Sequence, residues 1–178
     1  MDRTRIAYHE AGHAVVMHLF RKPFERIWIS DHEGAVEVAG TYRKARVADV
    51  SLGRAVNNAM IVLAGRAAEK LAPRRGPSTR KAQGRTNLEN DEDLKVLSDV
   101  LLERFGGPVP ACSRALNRYV QAKADQLMRE PSIAQAVHAL AMHLLREGAL
   151  SQKASKRTIN KMISKEAIQE LRIQYAYI

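Results

Sequence analysis

With 178 residues, 46% of them hydrophobic and 27% charged, the chain has the size and balance of one soluble domain with a substantial core. No run approaches the roughly 18 apolar residues of a membrane-spanning helix, and the single cysteine, Cys112, excludes an internal disulfide and fits a reducing cytoplasm. The net charge of +10 would suit a nucleic acid, an acidic partner or an anionic surface. Its concentrations at Arg74–Arg85 and Lys153–Lys165 carry no interleaved aromatic residues, so a solvated surface is expected, with nucleic-acid binding the minority alternative.

From Thr4 to about Phe20 the chain lacks proline and is apolar enough to be a buried helix, with Asp2 or Thr4 as its cap and Pro23 limiting it. Within it stands His9-Glu10-Ala11-Gly12-His13. Histidines four apart share one helical face and can hold a single zinc ion, while Glu10 is placed to take a proton from water attacking a carbonyl. Leu19 occupies the place of a third histidine in the extended version of this motif, and His18 lies on another face. Gly12 costs helix stability, about 1 kcal/mol relative to alanine, so a second backbone is expected close by.

Arg26–Ser30 alternates as a strand with Ile27 and Ile29 on one face, Asp31–Gly34 is a turn, and Ala35–Tyr42 alternates again. Val36, Glu37, Val38, Ala39, Gly40 and Thr41 are the candidate edge for an extended substrate, which would bind by strand addition. Asp49–Leu71 reads as a long helix whose small residues, Ala64, Gly65, Ala67 and Ala68, would pack onto the first. Ala72–Thr86 is expected to be a mobile basic loop.

The metal still needs a third ligand. Asp91 and Asp93 precede a helix with Leu94, Leu97, Val100 and Leu101 on one face, and a carboxylate there would sit among exposed helix amides. Glu69 is the other candidate, as a ligand or as a group orienting a histidine. Beyond Gly106-Gly107-Pro108 the pattern is wholly helical: Ser113–Arg129, Ser132–Glu147 with the stripe Ile133, Val137, Leu140 and Leu144, and Ser155–Leu171. His138 and His143 are expected to be bystanders of that bundle.

Ala7-Tyr8-His9-Glu10-Ala11-Gly12-His13-Ala14, then Leu63-Ala64-Gly65-Arg66-Ala67-Ala68-Glu69, then the acidic segment opening a helix, resembles the peptidase domain of the FtsH family of ATP-dependent zinc metalloproteases. The likeness spans roughly residues 5 to 165, and its first two motifs are the specific ones. It implies zinc held by His9, His13 and Asp93, the aspartate directly before an apolar residue, with Asp91 and Glu69 following as candidates. The chain has no phosphate-binding-loop pattern, so the resemblance implies a peptidase standing apart from a motor and independent of ATP by itself, with any ATPase or adaptor acting in trans.

The expected fold is mainly α with a small β-sheet, one domain over 1–178, with a zinc-site lobe at 1–105 and a helical lobe at 106–178. The expected activity is hydrolysis of peptide bonds in unfolded polypeptides. The alternatives are a catalytically idle binding or regulatory module and a basic nucleic-acid partner.

Overall fold

The computed structural model describes residues 2–38, 52–73 and 110–175. Its elements are α1 (Arg3–Leu19), β1 (Arg26–Ile29), β2 (Gly34–Glu37), α2 (Leu52–Glu69), α3 (Pro110–Arg129), α4 (Pro131–Glu147), β3 (Ala149–Ser151), α5 (Gln152–Met162) and α6 (Lys165–Tyr175). The described part is mainly helical with one small antiparallel sheet. None of its helices is long and apolar enough to cross a membrane.

The core is laid around α1. Asp2 caps it, its side chain accepting from the Thr4 amide at 3.2 Å. Apolar residues surround this helix on most sides, which is the composition of a buried element rather than an amphipathic one. Ile6, Ala7, Tyr8, Ala11, Ala14, Val15, Val16 and Leu19 are all buried, with α2, α4 and the sheet packed against them. A Cβ built on Gly12 would lie 2.5 Å from Ala68 Cβ and 2.7 Å from the Ala64 carbonyl oxygen, so the glycine is what lets α2 approach. At the far end of α1 the Arg172 side chain of α6 donates to the carbonyls of Leu19 and His18, the latter also accepting from the Arg21 amide.

The sheet runs β2-β1-β3. Ile27 pairs with Val36 on one side and Leu150 on the other. Alternation sends Ile27, Ile29 and Leu150 into the core. Among the described residues β2 lies at the edge of the sheet and ends at Glu37, tied to Arg26 by two hydrogen bonds of 2.7 and 2.8 Å.

The C-terminal segment, expected to be wholly helical, departs from that pattern in two places. Gly148 closes α4 with φ +75, donating to Leu144 O and accepting from Ile29 N, and so turns Ala149–Ser151 into the third strand. The expected helix Ser155–Leu171 is two helices. Ser151 caps α5 by accepting from Ala154 N, Ile163 leaves the helical region, and Ser164 Oγ accepts from Ala167 N to start α6. The stripe Ile133, Val137, Leu140 and Leu144 faces α1 and is fully buried.

Candidate metal centre

His9 and His13 lie one turn apart on α1, and α2 fixes both rings from behind. His9 Nδ1 is 2.8 Å from Glu69 Oε1, and His13 Nδ1 is 2.7 Å from the carbonyl oxygen of Ile61. Carboxylate and carbonyl oxygens only accept, so each Nδ1 carries a proton, and in the neutral form of either ring Nε2 is the unprotonated nitrogen. Those two Nε2 atoms face each other at 2.9 Å. Lone pairs brought that close repel unless a proton or a cation lies between them. Two imidazoles bound to one zinc ion at its usual distances stand roughly 3 Å apart, so the pair fits such an ion in chemistry and in spacing.

Gly65 completes this arrangement. A Cβ there would fall 2.5 Å from both Nε2 atoms and 2.6 Å from His9 Cδ2, against the rings themselves. Glycine at this point of α2 lets both rings lie against the helix, although it costs the helix stability.

The Glu69 carboxylate is spent on orientation. Its Oε1 meets His9 and its Oε2 accepts from Arg5. Burial alone would raise this carboxyl, but the His9 hydrogen bond and the Arg5 guanidinium outweigh burial and hold it below the usual carboxylate range. Nothing in the residue types marks Arg5 as part of this chain of contacts, since it pairs with a residue 64 positions away.

Glu10 follows His9 on the helix and is buried, 6% exposed. β2 passes directly over it: a Cβ on Gly34 would lie 2.8 Å from Glu10 Cγ and 2.8 Å from Ile6 Cγ2. Ile6, His9, Glu10, His32, Glu33 and Gly34 line one cavity of about 210 Å³. The turn residues His32 and Glu33 are thus walls of the site, a position that only the return of β2 over α1 could reveal.

Asp91 and Asp93 lie outside the described residues, as do Ala39, Gly40 and Thr41 of the candidate edge and the basic loop after Pro73. Among the described residues no three His, Cys, Asp or Glu side chains gather as a metal-holding group. The remaining histidines hold the fold together. His18 Nε2 lies 3.0 Å from Asn160 Oδ1 near the end of α1, and His138 pairs through Nδ1 with the buried Tyr8 hydroxyl. His143 Nδ1 is 3.1 Å from Thr158 Oγ1. Burial lowers His18, and Lys156 and Arg172 oppose its charge further. In comparisons with known proteins, no family model matches the chain and no curated protein matches it.

Proposed function

We propose that the chain is a zinc-dependent metalloendopeptidase of the FtsH-like kind, acting on unfolded polypeptides and needing no ATP for hydrolysis itself. One observation carries the reading. Two imidazoles, each locked in one tautomer by an acceptor on Nδ1, direct unprotonated Nε2 atoms at each other over a glycine.

His9 and His13 would hold the ion, with Asp93 as third ligand on the FtsH resemblance. When bound, zinc supplies a Lewis acid and a water whose pKa is lowered to about 7. Glu10 would accept the proton of the attacking water and hand it to the leaving amine, and it is buried beneath β2 beside His9. Glu69 holds His9 in the tautomer that leaves Nε2 unprotonated, and Arg5 holds Glu69. The edge strand β2, Gly34–Glu37, would align the substrate backbone beside Glu10.

The test is Glu10→Gln. It should keep zinc at wild-type stoichiometry and reduce cleavage of an unfolded casein-type substrate to background. A Glu10→Gln protein cutting at the wild-type rate, or a wild-type protein indifferent to chelators, refutes the reading.

A further inference from the structure

The turn between β1 and β2 is a built wall of the cavity. Ser30 Oγ accepts from the amides of His32 and Glu33 at 3.3 and 3.1 Å, and Ser30 N donates to Glu33 O at 2.7 Å. Asp31 lies 3.8 Å from the Arg3 guanidinium, which ties the turn to the start of α1. His32 and Glu33 are therefore held in place on the same cavity as Ile6 and Glu10.

The charges on that cavity sort themselves. Glu10 belongs to the proposed chemistry, and Asp31 beside the wall lies 3.8 Å from Arg3. Glu33 makes no ion pair with any described residue. Glu33, an exposed carboxylate, lines a space that the aliphatic Ile6 also lines. That pairing of surfaces matches a long side chain with an apolar stem and a cationic head. A strand laid along β2 directs alternate side chains to opposite faces, so one side chain beside the scissile bond enters this cavity.

We infer that this cavity is a subsite for a lysine or arginine of the substrate, next to the scissile bond, with Glu33 as the specificity-determining residue. The inference rests on the peptidase reading and adds the substrate class. The overall positive charge of the chain disfavours cationic peptides at long range, so the selection is local and strongest at moderate salt, where the distant field is screened.

The test uses unstructured fluorogenic peptides that differ only in carrying Lys, Gln or Glu at residues flanking a mapped cut. Two readouts are taken at pH 8: kcat/KM with the zinc-loaded protein, and fluorescence anisotropy of the same peptides with the metal-free Glu10→Gln protein. The Lys peptide should exceed the Glu peptide by about fivefold in both, the upper range for a solvent-facing ion pair. Glu33→Gln should abolish the preference and Glu33→Lys should invert it. Urea melts of both variants should match the wild type, because Glu33 holds the turn through its backbone and not its carboxylate.

Equal values for Lys and Glu peptides, or a preference that survives Glu33→Lys, overturn the inference. Cleavage without charge preference removes the subsite and leaves the peptidase standing. Preferential binding without any cleavage does the reverse, and absence of both removes both.

Discussion

Gly65→Ala separates the proposed metal centre from the fold. The added methyl carbon would sit 2.5 Å from His9 Nε2, 2.5 Å from His13 Nε2 and 2.6 Å from His9 Cδ2. Ordinary contact begins at about 3.5 Å, so both rings must retreat by about 1 Å. Neither can swing freely, since each is tethered at Nδ1, one to Glu69 and one to Ile61 O. Releasing the two tethers costs about 1 kcal/mol each, somewhat more at the charged one, while alanine in place of glycine returns about 1 kcal/mol of helix stability. The folded state should therefore lose only about 1–2 kcal/mol. Zinc affinity should fall far more, because rings pushed off α2 no longer hold their two Nε2 atoms together. A fall in zinc affinity of at least about 100-fold is expected, which corresponds to about 2.8 kcal/mol. Chelator-competition titration gives the affinity and urea denaturation the stability. A folded Gly65→Ala protein that binds zinc within about threefold of wild type would refute the placement of the ion between these rings.

Gly12→Ala provides the contrast, since the obstacle there is the Ala64 carbonyl and Ala68, which cannot rotate away. It should cost about 1–3 kcal/mol of global stability by urea denaturation. Glu69→Gln should weaken zinc binding by about 10–100-fold, and Asp93→Ala should weaken it more; zinc retained at full affinity in Asp93→Ala would shift the third ligand to Asp91. The Glu69 carboxyl is held below its ordinary 4.5, so it stabilises the fold fully above that value and loses this contribution as pH falls through the lowered one. The acid limb of a stability–pH curve for the metal-free protein should accordingly flatten in Glu69→Gln, and an unchanged limb would contradict the Arg5–Glu69–His9 contacts. Gly148→Ala should destabilise by about 1 kcal/mol because φ +75 strains any residue with a Cβ, although nothing lies within 4 Å of the position.

Local patterns carried a good part of this molecule. The spacing of His9 and His13, the small residues of α2 and the alternation about Ile27 depend on helix and strand periods, which residues a few positions apart dictate by themselves. They placed α1, β1 and the stripe on α4 at nearly their structural bounds, whereas the strand expected over Ala35–Tyr42 is described only as Gly34–Glu37. The glycine at position 12 marked the close approach of a second helix for the same reason. The missed features were those decided by distant partners or by a short cap. β3 is three residues long and exists because Gly148 turns the chain onto the free edge of β1. The break at Ser164 interrupts a helical pattern with one hydroxyl and one extended residue, a signal too small to outweigh the periodicity around it.

In the centre itself, the residue types named the histidines and Glu10, and left Glu69 with two roles. The tertiary structure assigned its oxygens to His9 and Arg5. It also laid the turn of His32 and Glu33 over α1. A sequence determines which side chains a helix can present on one face, because that geometry repeats every few residues. Which tautomer a histidine holds and what closes over it depend on groups tens of residues away, which meet only when the apolar surfaces of α1, α2 and the sheet are buried together.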